Sequence, residues 1–186
     1  MSSVYSKVSD LRNDFYHGSL RPRKTWDLSS LGQGNDQYGP GWYFTDNEKV
    51  AKSYADGPEG VLQKCDINVS NVCPNVGDTD RFRSRVARMM KAAPQARTHL
   101  ENWGENPREA LNQALDLTLD STEGPHDLIQ QVWIDFYRHQ EGVWAKNVLK
   151  LFRWSLALPD SSDTGGDQYA VVWDPSAITI LSTVRV

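Results

Sequence analysis

The spacing of apolar positions changes character twice along the chain. From Phe15 to Val72 apolar residues come as short runs and alternations bounded by turn residues. Phe15-Tyr16-His17 leading into Gly18-Ser19 predicts a short strand that closes in a turn. Leu31 to Gly41 is glycine-rich and predicts a loop, and Trp42 to Thr45, aromatic and β-branched, predicts a second strand. Asp46 is the expected cap of a helix reaching Tyr54. Val61 to Val69 alternates, with Gln63, Cys65, Ile67 and Val69 facing one way, the pattern of a half-buried strand.

From about Thr79 to Phe152 the period becomes helical. Phe82, Val86, Met89 and Ala93 recur at helix spacing. Asn106-Pro107 with Glu109 supplies an N-cap, a proline at the first helical position and a capping-box acid. Leu111, Ala114, Leu115 and Leu119 then share one face. Gly124-Pro125 opens a further helix with Leu128, Val132, Trp133 and Phe136 on its stripe, and Val143 to Phe152 forms a last one. Trp154–Leu158, Gln168–Trp173 and Ile178–Val186 return to strand. The order is β-rich, helical, β-rich, without regular βαβ alternation. This predicts an α+β fold, one domain over 1–186 with a helical insertion at about 79–152.

Composition narrows the class. A chain of 186 residues, 39% hydrophobic, 24% charged and with net charge −4, is not an all-over electrostatic binder of nucleic acid. No apolar run approaches the roughly 18 residues of a membrane span, and residues 1–19 lack the apolar core of a secretory signal. The expected location is cytoplasmic, of the producing cell or of a host after delivery. Cys65 and Cys73 read as reduced thiols. His99, His126 and His139 show no metal spacing, so no metal is assigned. Arg81, Arg83, Arg85, Arg88, Lys91 and Arg97 form a basic helical strip, expected to be a solvated face; nucleic acid or an acidic partner is its other reading. The seven tryptophans read as core and cleft packing.

Three motifs in order carry a resemblance: Phe-Tyr-His17-Gly18-Ser19, then Gly39-Pro-Gly41-Trp-Tyr43-Phe44-Thr45-Asp46, then Tyr54. They resemble the ADP-ribosyltransferase superfamily of the diphtheria-toxin and poly(ADP-ribose) polymerase type. The ending Gln168-Tyr-Ala-Val-Val-Trp-Asp-Pro is similar to the closing strand of its bacterial and phage members. The resemblance covers about Tyr16 to Val69 and Asp167 to Ile180, and leaves the helical middle unmatched. It implies a split antiparallel β-sheet core and a mono-ADP-ribosyltransferase that consumes NAD, of phage or bacterial effector type. The implied acceptor is a protein or a nucleic acid, with no membrane partner. His17, Gly18, Ser19, Tyr43, Phe44 and Tyr54 are the implied NAD-binding residues, and His17, Tyr43 and Gln168 the implied catalytic ones.

Each position also has a reading of its own. A neutral imidazole at His17 offers one donor and one acceptor to a ribose hydroxyl. Gly18 lets main chain approach a carboxamide, and Tyr43 and Tyr54 line a nicotinamide slot, Tyr54 by offset stacking. Their structural alternatives are a satisfied histidine, a turn glycine and aromatic packing. Gly39 and Gly41 shape the loop ahead of Tyr43 and bind no phosphate in the Walker or Rossmann manner. Cleaving the nicotinamide–ribose bond develops positive charge on the sugar, for which the family supplies a glutamate. Gln168 stands there instead. An amide can bond the hydroxyl but carries no charge, which favours single transfer over chain elongation. Ala51 replaces a serine of the polymerase branch. The loop Pro159–Asp167 is the implied acceptor-selecting loop, with Asp163 able to swing in. A non-catalytic NAD or ADP-ribose-binding module and an NAD glycohydrolase are the alternative functions.

Overall fold

The computed structural model describes residues 8–12, 14–32, 37–104, 106–159 and 166–186. Most of the Pro159–Asp167 loop, Asp163 included, lies outside them. The described residues form a mixed α/β structure with a seven-stranded, mostly antiparallel sheet and six α-helices. The strands are β1 (Phe15–Ser19), β2 (Trp42–Thr45), β3 (Val61–Ile67), β4 (Val72–Cys73), β5 (Leu156–Ala157), β6 (Tyr169–Val172) and β7 (Ile178–Arg185). The helices are α1 (Glu48–Ser53), α2 (Arg83–Ala92), α3 (Ala96–Glu101), α4 (Pro107–Asp120), α5 (Pro125–Val132) and α6 (Glu141–Phe152).

The sheet order is β4-β5-β6-β2-β1-β3-β7, with only β4 and β5 parallel. It divides into two ribbons. β1, β3 and β7 pair along their whole lengths, and β2 pairs along its whole length with β6. The ribbons meet between β1 and β2 at a single register pair, Tyr16 opposite Thr45. Beyond it the strands part. Continuing the ladder would set Gly18 opposite Tyr43, but the His17 side chain reaches across instead, its Nδ1 2.8 Å from the Tyr43 carbonyl.

One apolar core joins sheet and helices. Phe15, Phe44 and Cys65 from the strands pack with Met89, Leu128, Phe136, Trp144 and Trp173. Asn106 caps α4 by accepting from the N–H groups of Arg108 and Glu109, as its sequence context predicts. α1 differs: Asn47, not Asp46, accepts from Lys49 and Val50, because Asp46 is turned toward Arg12 and Gln168. After α5 the chain makes a π-helical turn, Trp133–Tyr137. A wider turn rotates the apolar stripe, so Phe136 and Tyr137 are buried while Trp133 is only partly so. No helix among the described residues is long and apolar enough to cross a membrane.

Candidate functional site

Where the ribbons part, a cleft of about 890 Å³ opens, within the range of small-molecule sites. His17, Gly18, Ser19, Tyr43, Phe44 and Tyr54, the six expected binding residues, all line it. Side-chain alternation divides them. Cross-strand pairing puts Tyr43, Thr45 and Tyr169 on one face of the sheet, and His17, Trp42 and Phe44 on the other. Because the strands separate here, the cleft is lined from both faces.

His17 is fixed by its Tyr43 bond, and since a carbonyl only accepts, Nδ1 carries the proton. Burial first, opposed by that bond and aided by the nearby Arg23 charge, lowers its pKa to about 4. The imidazole is therefore neutral at physiological pH, and Nε2 is an acceptor. That nitrogen is buried and has no partner among the described residues. The ring packs against Trp26, edge-on at 5.1 Å, and Phe44 at 5.5 Å, rather than against the tyrosines.

Two more buried groups without partners stand beside it, Arg23 Nε and Trp26 Nε1. The Arg23 guanidinium lies 5.7 Å from the Trp26 ring and 3.3 Å from Ser30 Oγ. Burial lowers its pKa, and no carboxylate pairs with it among the described residues. Its main chain is held by buried Gln63, whose Nε2 donates to the Arg23 carbonyl at 2.9 Å and whose Oε1 accepts from its N–H at 3.3 Å. The motifs contain neither Arg23 nor Gln63. The only sequence signal was a glutamine on the buried side of β3.

Tyr43 spends its hydroxyl on structure: it donates to the Gly39 carbonyl at 2.6 Å and accepts from the Tyr38 N–H at 2.9 Å. It thus holds the loop ahead of β2 and offers the cleft its ring. α5 holds the same loop through His126 Nε2, 3.2 Å from the Tyr38 carbonyl. Gly39 has φ +86°, the left-handed region that favours glycine. Gly18 is required by close approach, since a Cβ there would lie 1.7 Å from the Ala51 carbonyl oxygen of α1. Tyr54 ends α1 at the mouth of the cleft, 60% exposed. Ser19 Oγ donates to the Arg21 carbonyl, stabilising the turn after β1.

Gln168 is not in the cleft. It is fully buried just ahead of β6, on the side of the sheet that Phe44 and His17 share but covered there by residues 10–12: Nε2 donates to the Asp10 carbonyl and Oε1 accepts from the Arg12 N–H, both at 2.8 Å. The residue that turns into the cleft is its neighbour Tyr169, paired with Thr45 and two positions from the partner of Tyr43. The pKa of Tyr169 is raised, by burial first and then by Tyr54, Asp167, Tyr38 and Asp46, so its hydroxyl stays protonated. Asp167 accepts from Asn47 Nδ2 at 3.0 Å and lies on the Tyr169 side by alternation. The lining contains two arginines and no carboxylate among the described residues.

No family model, curated protein or solved structure matches this chain. Its function therefore rests on the cleft. Among the described residues no three His, Cys, Asp or Glu side chains converge as a metal site. Both thiols are free and buried, and burial raises the Cys65 pKa to about 12, so neither is an activated nucleophile.

Proposed function

We propose that the protein binds NAD in this cleft and transfers a single ADP-ribose to a macromolecular acceptor. The observation that carries the reading is a pair of buried groups without partners among the described residues, His17 Nε2 and Arg23 Nε, on residues that line a parting of strands rimmed by tyrosines. Leaving a buried acceptor unpaired costs about 1–3 kcal/mol, a cost that a bound ligand removes. A neutral imidazole acceptor suits a ribose hydroxyl, a guanidinium without a carboxylate partner suits a phosphate, and tyrosine faces suit an aromatic base. In the transfer the C1′–nitrogen bond breaks and nicotinamide leaves with its electron pair. The acceptor nucleophile bonds C1′ and gives up its proton to solvent.

Tyr169 takes the part that sequence comparison gave to Gln168. Its neutral hydroxyl accepts and donates at the sugar without opposing the developing charge. That supports single transfer at modest rate rather than chain growth. The same absence of a lining carboxylate favours a second reading, a non-catalytic NAD or ADP-ribose-binding module.

Incubation with labelled NAD and cell lysate separates the readings. Transfer predicts label on a macromolecule, lost in His17→Ala and reduced in Tyr169→Phe. NAD binding by calorimetry without label transfer supports the module, and free ADP-ribose alone supports hydrolysis. No binding heat with NAD or ADP-ribose ends all three.

A further inference from the structure

Helix α2 and the turn before it carry a charge pattern that the cleft does not use. From Arg81 to Leu100 the chain has Arg81, Arg83, Arg85, Arg88, Lys91 and Arg97 and not one Asp or Glu, in a protein with 24 acidic residues. Burial of Val86, Met89 and Met90 fixes how the helix sits, leaving the basic side chains outward. Two of the six are neutralised locally: Arg83 pairs with Asp116 at 2.6 Å and Asp80 at 3.7 Å, and Arg97 with Glu101 at 3.0 Å. Arg81, Arg85, Arg88 and Lys91 make no ion pair among the described residues.

Arg81, Arg85 and Arg88 stand at i, i+4 and i+7, one side of a helix, with Lys91 flanking them. Arg81 and Arg85 are partly ordered already, their guanidiniums 4.5 and 5.9 Å from the Phe82 ring. An ordinary solvated face mixes signs; α1 does so with its Glu48–Lys52 pair at 2.8 Å. Here repulsion between neighbouring cations is answered by no ion pair among the described residues. From Arg81 to Lys91 the helix rises about 15 Å, a length over which duplex DNA presents about nine phosphates. The cations are mostly arginine, whose planar fork matches phosphate oxygens.

We propose that this face of α2 binds the phosphodiester backbone of a nucleic acid without reading its sequence. Contact comes from the four unpaired cations, and the strength of binding depends on salt rather than base composition. The proposal does not depend on what the cleft holds, and its test contains no NAD.

Fluorescence anisotropy with short labelled single-stranded RNA and duplex DNA reads it directly. Four phosphate contacts predict a log–log salt slope of about −3 to −4 and an affinity loss of about a hundredfold between 50 and 200 mM salt on duplex. The RNA and DNA arms identify the source of the backbone. Arg81→Gln/Arg85→Gln/Arg88→Gln lowers the slope to about −1, while Arg83→Gln/Arg97→Gln leaves affinity within about twofold because those cations are already paired. Circular dichroism confirms that both exposed-residue variants stay folded. Absence of binding at low salt overturns the proposal. So does equal loss in the two variants, or a polyglutamate chain binding as tightly as either oligonucleotide.

Discussion

His17 in the cleft and His126 in the helical layer begin alike. Each is buried, each has its imidazole on the main-chain carbonyl of a tyrosine, and each has its pKa lowered to about 4, chiefly by burial. They part at the second nitrogen. His17 Nε2 is buried without a partner, whereas no atom of His126 is orphaned in this way. Their surroundings differ similarly. In the helical layer Trp144 Nε1 donates to the Ile129 carbonyl and Thr118 Oγ1 to Ala114, with Trp133 Nε1 at the π turn as an exception. Around His17, Arg23 and Trp26 repeat the deficit. Buried polar groups are normally paired, so unpaired ones on two residues that line the cleft, His17 and Arg23, support the proposal that a ligand pairs with them.

Acid gives the largest test of that contrast. Both histidines titrate near 6.5 when unfolded and near 4 when folded. Between those values the unfolded chain binds more protons, so stability is full above pH 6.5 and falls as pH drops toward 4. Each histidine contributes about 3 kcal/mol to this loss as an upper figure. Denaturant titrations across pH 4–7 should show a slope of up to two protons, with His17→Gln and His126→Gln each removing one. A ligand that donates to Nε2 of neutral His17 should keep its affinity down to about pH 5 and lose it as pH falls through about 4, where the folded imidazole protonates, with His126 unaffected. A flat stability profile would show that the imidazoles are not desolvated as described.

Gly18→Ala comes next. A Cβ 1.7 Å from the Ala51 carbonyl cannot be accommodated without moving α1 off β1, and overpacking of that kind costs about 3 kcal/mol. Thermal unfolding checks this. Tyr54 would shift with α1, so ligand binding should fall even in molecules that remain folded. Gly104→Ala is the control: its φ of +147° is strained for alanine, but nothing lies within 4 Å of a Cβ there.

Local signals in the sequence are legible where local physics decides. Asn106-Pro107 and Gly124-Pro125 start helices as read, because capping and proline geometry act within one turn. The alternation of Val61 to Val69 gives the strand, but Leu62 is buried along with Val61 and Gln63, because helix α1 packs on the face that alternation alone assigns to water. The predicted strand Trp154–Leu158 shrinks to Leu156–Ala157, since only those residues find partners in β4 and β6. Within the cleft, motif spacing finds six lining residues but misses Arg23, whose placement depends on a clamp from Gln63, forty residues away. It also misreads Gln168. Gln168 is covered by Asp10 and Arg12, at the far end of the sequence, information that the six residues of the predicted strand Gln168–Trp173 do not carry by themselves.

Exchanging charge at that misread position sharpens the distinction. Gln168→Glu removes the donor to the Asp10 carbonyl and sets a carboxylate beside Asp46. The expected loss is about 2 kcal/mol at neutral pH, with no gain in NAD turnover. Tyr169→Phe should do the reverse, leaving the unfolding midpoint nearly unchanged while lowering turnover. Increased turnover in Gln168→Glu would return the sugar contact to the face now covered by Asp10 and Arg12.

The smallest effect separates two arginines that sequence alone makes equivalent. Arg21 and Arg23 both line the cleft, two residues apart. Arg21 is 85% exposed at its side chain and pairs loosely with Glu59 at 3.7 Å, a contact worth little in water. Arg23 is partly buried, has no carboxylate partner among the described residues, and bears the cost of desolvation before any ligand binds. An anionic ligand therefore gains more at Arg23, where no water shell must be stripped on binding. Arg23→Gln should weaken NAD about tenfold, the equivalent of one charge-assisted bond, while leaving the free protein as stable or slightly more so. Arg21→Gln should change affinity less than twofold. Calorimetry on both variants decides between them: equal losses would mean that overall positive potential, and not a desolvated guanidinium, attracts the ligand.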